Sequence, residues 1–187
     1  MSEGIALLGA TGSIGRSTQD VVRVNSDRYH IEAIAGGSRI EPLVEAAKTT
    51  EARWVVIADE AKKDALAKAL REAGITAQVG AGMADIDAIA TDASTPIVVQ
   101  AIVGAAGVSS TFKTARAGKK LLLANKESVV CGGALLMQTV KDAGATLVPV
   151  DSEHSAIFQC LMGEKRRDPG TRLILTASGG PFRQRQD

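Results

Sequence analysis

The chain has 187 residues, 45% of them apolar and 23% charged, with a formal net charge of +1. That length fits one domain, or one domain with part of another, and holds enough apolar residues for a substantial core. The near-zero charge gives no global field for nucleic acid or anionic membrane, and one Trp, one Tyr and three Phe leave little material for base stacking.

Short β-rich runs alternate with helical patterns along the chain. Ile5–Leu8 reads as a first strand, followed by Ile14, Thr18, Val21 and Val22 at helical spacing. "HIEAIAG" is a second strand, and Ile40, Leu43, Val44 and Ala47 mark the next helix. "RWVVIAD" is a third strand, and "EAKKDALAKALREAG" is a helix of strong helix formers closed by Gly74. A short strand near Thr76–Val79 and a helix near Met83–Ala90 come next. "PIVVQAIVG" is apolar at nearly every position, as strands of parallel sheets buried on both faces are. A helix over Val108–Ala117 leads to the strand "KLLLAN", then to one long helix over Lys126–Ala143 ended by Gly144. "ATLVPV", "SAIFQCLMG" and "TRLILTASGG" complete the series as strand, helix and strand, with "GEKRRDPGT" as an exposed loop. The expected fold is α/β: a Rossmann-like, doubly wound, mostly parallel sheet with right-handed crossovers and helices on both faces.

Cys131 and Cys160 make neither a disulfide framework nor a zinc quartet, and both fall in predicted helices. The opening "MSEGIALLGATG" has no basic n-region and no long apolar stretch, and no run approaches the ~20 apolar residues that span a bilayer. A cytoplasmic protein without membrane or nucleic-acid partners is expected.

"LLGATGSIGRST" places Gly9, Gly12 and Gly15 between the first strand and the first helix. Gly9 permits the tight turn, Gly12 lets backbone approach a pyrophosphate, and Gly15 lets the helix pack against the strand. The N–H groups of Thr11, Gly12, Ser13 and Ile14 would face the anion at a helix N-terminus. The bland alternative is a glycine-rich turn without ligand. At the end of the second strand stand Gly36, Gly37, Ser38 and Arg39, with no acid to bind a ribose 2′-hydroxyl or repel a 2′-phosphate. Ser38 can donate a hydrogen bond and Arg39 a charge-assisted pair, so NADPH is favoured over NADH. "AIVGAAGV" puts small residues, Gly104 to Gly107, where a nicotinamide ring could lie close to backbone, or where a helix merely packs on a strand.

Two further strand ends carry chemistry. In "LLLANKESVV", Lys126 can hold an anionic or carbonyl substrate, and Asn125 and Glu127 can bind ribose or amide groups. Asn125 as a plain helix cap explains the same residues equally well. In "PVDSEHS", Asp151 and Glu153 are hard oxygen donors suited to Mg2+ or Mn2+. Helix capping and dipole complementation by Asp151-Ser152-Glu153 is the competing explanation. His154 is read as a packed or hydrogen-bonded residue rather than a ligand. In "TASGGPF", Ser178 beside exposed glycine amides could take a phosphate or simply form a turn.

Together "GATGSIGRST", "AIVGAAG", "LLLANKES", "PVDSEHSAIFQC" and "ASGGPFR" resemble the 1-deoxy-D-xylulose 5-phosphate reductoisomerase family over essentially the whole chain. The resemblance implies that Thr11, Gly12, Ser13 and Ile14 bind the NADPH pyrophosphate and Gly37, Ser38 and Arg39 its 2′-phosphate region. It implies that Asn125 and Glu127 contact NADPH and that Lys126, Ser152, Glu153 and Ser178 bind the sugar phosphate. Asp151 and Glu153 would ligate Mg2+ or Mn2+, and Lys126, Asp151 and Glu153 would serve catalysis. Residues 1–150 would form the NADPH-binding domain and 151–187 the start of the catalytic domain, with a homodimer as the family's assembly. The family continues further, with a mobile flap, more substrate-binding residues, another metal carboxylate and a helical domain. The chain is therefore expected to be a truncated form that binds NADPH and turns over poorly. Two other functions fit the same N-terminal loop: a non-catalytic NADPH-binding module, and another NADP-dependent dehydrogenase such as a semialdehyde dehydrogenase.

Overall fold

In the computed structural model, which describes residues 2–162 and 172–174, seven strands form one wholly parallel sheet in the order β4-β3-β2-β1-β5-β6-β7. The strands are β1 (Glu3–Leu8), β2 (Tyr29–Gly36), β3 (Trp54–Ile57), β4 (Gln78–Ala81), β5 (Ile97–Gln100), β6 (Lys120–Leu123) and β7 (Thr146–Pro149). The helices between and after them are α1 (Ser13–Val24), α2 (Ile40–Thr50), α3 (Lys63–Glu72), α4 (Gly82–Thr91), α5 (Val108–Arg116), α6 (Lys126–Asp142) and α7 (Ser152–Cys160). Winding proceeds outward from β1 to β4, then α4 returns the chain to β5 beside β1, and winding resumes the other way. The loops after β1 and β5 therefore diverge at the sheet centre, the switch point where such sheets bind ligands.

Alternation along the strands divides the core between the two faces. Ile5, Leu7, Ile34 and Ile57 pack with Leu43, Leu66 and Leu70 from α2 and α3. On the other face, Ala6, Leu8, Ala33 and Val56 meet Ile86, Ile89 and Ala90 of α4, while Leu121 and Leu123 meet Ala115 and Leu136. Leu7, Leu8, Leu43 and Leu66 are fully buried. Truncating any one of them to Ala removes apolar contact and leaves a cavity, at a cost of about 2–5 kcal/mol.

Helix ends follow the sequence closely. Gly74 adopts φ +70° and Gly144 φ +64°, and the N–H groups of Ile75 and Ala145 cap the carbonyls of Leu70 and Val140 at 2.9 Å each. Pro42 is tolerated in α2 because its position lies in the first turn, where an N–H has no helical partner. The long helix expected over Lys126–Ala143 needs correction: Gly133, at φ 45° and ψ −131°, breaks α6 into two helical pieces. The preceding Gly132 packs so closely that a Cβ there would stand 3.0 Å from Phe112 of α5. No helix among the described residues is long and apolar enough to cross a membrane. The strand expected at "TRLILTASGG", the loop "GEKRRDPGT" and Ser178 lie wholly or largely outside the described residues.

Candidate functional site

The turn after β1 is shaped by its glycines. Gly9 has φ +94°, and a Cβ there would lie 2.5 Å from the carbonyl oxygen of Ala101 in the loop after β5. At Gly15 a Cβ would fall 2.5 Å from Ala10 O, so only glycine lets α1 start against the turn. Gly12 differs: its added Cβ would meet only Gly9 O, at 3.5 Å, and the residue is exposed. Gly12 is also the N-cap of α1, with no side-chain cap and no acid in the first turn. The N-terminus of α1 thus keeps unsatisfied N–H groups and a bare positive dipole end, as an anion-binding turn requires. Gly12's own N–H is used within the turn, 3.1 Å from Gly9 O. Gln19 braces it from α1, with Nε2 donating to Ala10 O at 2.9 Å.

The loop after β5 lies opposite and is held by buried amides. Gln100, at 0% exposure, donates from Nε2 to Gly107 O at 3.1 Å and to Ser110 Oγ at 2.5 Å, while Oε1 accepts the Ile102 N–H at 3.0 Å. Asn125, 2% exposed, donates from Nδ2 to Ile102 O and, at 2.9 Å, to Gly104 O. Its Oδ1 accepts from the Ser128 N–H at 2.7 Å and from Ser128 Oγ at 2.5 Å. Thr111 Oγ1 stands 2.7 Å from Gly107 O and 3.0 Å from Ser128 Oγ, joining the two amides' neighbourhoods. Asn125 is therefore a helix cap, as the plain alternative had it, and its side-chain hydrogen-bonding capacity is fully used inside the protein.

One cavity of 190 Å³ brings these strand ends together: Gly12, Ser13 and Ile14 on one side, Ala101–Val103 behind, and Asn125, Lys126, Glu127 and Asp151 on the other. Gly37, Ser38 and Arg39 are exposed at the end of β2, apart from this cavity. There Lys62, from the short 3-10 turn Glu60–Lys62, donates from Nζ to Ser38 O at 2.7 Å. Ser152 and Glu153 line a separate hollow of 400 Å³ with Cys160 and Arg172–Ile174.

Asp151 sits at the N-cap of α7, yet its carboxylate makes no capping hydrogen bond. Instead Oδ1 lies 2.8 Å from His154 Nδ1 and Oδ2 lies 3.4 Å from Lys126 Nζ, with the Asp151 side chain 16% exposed. The hydrogen bond from His154, with the Lys126 ammonium as a smaller influence, holds the carboxyl down at about 2 against the burial that opposes it. Ser152 Oγ donates to Glu153 Oε2 at 2.7 Å. Asp151 and Glu153 are hard oxygen donors of the kind a divalent ion takes, but they line different hollows and hold different partners, Asp151 with His154 and Glu153 with Ser152. Among the described residues no group of three His, Cys, Asp or Glu side chains converges as a fuller metal shell. Cys131 and Cys160 are exposed free thiols, and His154 is turned to Asp151 rather than to either of them.

Sequence reasoning missed Gln100, Ser110, Thr111, Ser128 and Lys62. For the first four the signal was thin: Gln100 is a polar residue ending an apolar strand, and Ser110, Thr111 and Ser128 are hydroxyls in the first turns of α5 and α6, where a buried unpaired group is costly and so must find a partner. Lys62 carried no signal, since it stands among other charged residues of a helical pattern.

The profile of the 1-deoxy-D-xylulose 5-phosphate reductoisomerase family matches residues 5–133, and that of the C-terminal domain of the same enzyme matches residues 147–187. The 1-deoxy-D-xylulose 5-phosphate reductoisomerase of Cupriavidus metallidurans is 50% identical over 184 residues, covering 97% of this chain and 47% of its own length. Among solved structures, the Zymomonas mobilis reductoisomerase in complex with NADPH is 43% identical with a TM-score of 0.89, over 99% of this chain and 48% of its own. A reductoisomerase structure in complex with magnesium is 42% identical with a TM-score of 0.84, over 88% of this chain and 41% of its own. The chain thus spans about half the length of the relatives it matches.

Proposed function

Since the chain belongs to the 1-deoxy-D-xylulose 5-phosphate reductoisomerase family, we propose that it supplies the NADPH- and metal-binding part of the conversion of 1-deoxy-D-xylulose 5-phosphate to 2-C-methyl-D-erythritol 4-phosphate. The observation that carries this reading is the single cavity in which the α1 N-terminus faces Asn125, Lys126, Glu127 and Asp151. Residues 1–150 form the cofactor-binding part and 151–187 begin the part that binds metal and sugar phosphate.

The residues divide the work by position. Thr11, Gly12, Ser13 and Ile14 hold the pyrophosphate of NADPH at the positive end of α1. Gly37, Ser38 and Arg39 hold the adenosine 2′-phosphate. Asn125 and Glu127 border the cofactor, and Lys126 draws the anionic substrate toward it. Asp151 and Glu153 hold Mg2+ or Mn2+, with Ser152 and Glu153 against the substrate and Ser178 at its phosphate end. When bound, the ion supplies Lewis acidity and a template for adjacent substrate oxygens, and NADPH supplies the hydride that reduces the aldehyde formed by skeletal rearrangement. Lys126 and His154, which contact the Asp151 carboxylate at 3.4 and 2.8 Å, would have to yield it to a bound cation. A cytoplasmic homodimer belongs to the same proposal, and sedimentation analysis tests it.

The deciding experiment is calorimetric titration of Mn2+ and of NADPH into the wild-type chain, Asp151→Ala and Glu153→Ala, with and without the sugar phosphate. NADPH binding by all three, with metal binding lost in both variants, is the expected result. Metal affinity untouched by both substitutions would reduce the function to that of a bare NADPH-binding module.

A further inference from the structure

Lys62 stands outside every residue assigned above, and its placement is fixed by backbone rather than left to a free surface chain. The end of β3 is fastened to the end of β2: the Ala58 N–H donates to Gly36 O at 2.9 Å and to Gly37 O at 3.0 Å, and the Asp59 N–H to Gly37 O at 3.4 Å. The turn that follows opens on Asp59, whose side chain accepts the Ala61 N–H at 3.2 Å. This geometry brings Lys62 Nζ to 2.7 Å from Ser38 O, across 24 residues of sequence, and to 3.7 Å from Asp59 Oδ2. An ammonium has three N–H groups, so the bond to Ser38 O leaves others to donate.

From these contacts we infer that Lys62 is a specificity-determining residue for the 2′-phosphate of NADPH, acting beside Ser38 and Arg39. The inference rests on the cofactor reading proposed above. In sheets of this kind the group on the ribose 2′-oxygen lies at the end of the second strand, where Ser38 and Arg39 stand. The charges near that point decide the sign of the field. Arg39 is positive and Asp59 negative, so without Lys62 the pair offers a phosphate dianion no net attraction. With Lys62 the balance becomes positive, and the lysine is a point charge that can turn from the Ser38 carbonyl and Asp59 to a phosphate oxygen. Glu60, the other acid of the turn, is directed to Gly82, where its carboxylate packs against the start of α4. A cofactor lacking the 2′-phosphate gains nothing from Lys62, so the residue discriminates rather than merely binds.

The test uses Lys62→Met and Lys62→Arg with three probes: NADPH, NADH and adenosine 2′,5′-bisphosphate, each titrated by fluorescence or calorimetry. Lys62→Met is expected to weaken NADPH and the bisphosphate about tenfold, the loss of one charge-assisted hydrogen bond, and to leave NADH within about twofold. Lys62→Arg restores most of the lost affinity. An unchanged ratio of NADPH to NADH affinity in Lys62→Met overturns the role of Lys62 while the cofactor reading stands. Failure of the wild-type chain to bind NADPH overturns both.

Discussion

Asn125 and Gln100 close on one loop from two neighbouring strands. Asn125, following β6, holds the carbonyls of Ile102 and Gly104, while Gln100, ending β5, holds the Gly107 carbonyl and the Ile102 N–H. The loop between them lines the same cavity as the turn after β1. Two buried amides therefore set how closely the loop approaches whatever lies against α1.

Removing the Asn125 side chain takes away a helix cap and strips partners from buried carbonyls at once. Asn125→Ala is expected to lower stability by about 2–4 kcal/mol, read from urea unfolding. Asn125→Asp keeps the acceptor for the Ser128 N–H but turns an oxygen toward the two carbonyls. It should therefore recover only the capping share, and full recovery would show that the loop contacts contribute nothing.

The second and third glycines of the first turn, Gly12 and Gly15, separate ligand approach from packing. Gly15→Ala forces a methyl against Ala10 O and should cost about 1–3 kcal/mol by overpacking. Gly12 has φ −82° and open space around it, so Gly12→Ala should change stability by less than about 1 kcal/mol. Under the proposed cofactor seat the same methyl stands in the path of the pyrophosphate, and NADPH affinity should fall. Thermal unfolding and NADPH titration of both variants read the two effects apart.

Acid titration probes the Asp151 carboxyl in the metal-free chain. Its folded value, about 2, lies below the ordinary 3.8, so the ionised form is favoured by folding. The corresponding stability is fully present above about 3.8 and is lost as pH falls through about 2. Asp151→Asn should accordingly be less stable than the wild type at neutral pH, with the difference closing across that window. A carboxyl resonance titrating near 3.8 by NMR would remove the basis for this expectation.

Much of the fold was legible because its signals are local. Apolar runs marked the strands, and glycines at 74 and 144 marked helix ends through their positive φ. The break in α6 was not, because the apolar pattern runs on through Gly132 and Gly133 and masks the local signal that this glycine pair carries. The site shows the same division. The glycine turn and Asp151 follow from residue type at strand ends. The carbonyls held by Asn125 and Lys62 lie 21 to 24 residues away, and no spacing rule connects them.

Calorimetric titration of NADPH into the wild-type chain and into Gly12→Asp tests the central claim, that the turn after β1 seats the cofactor's pyrophosphate. Saturable binding of one NADPH per chain, abolished by a carboxylate at position 12, is expected. Absence of binding at millimolar NADPH, or binding indifferent to the aspartate, would contradict it.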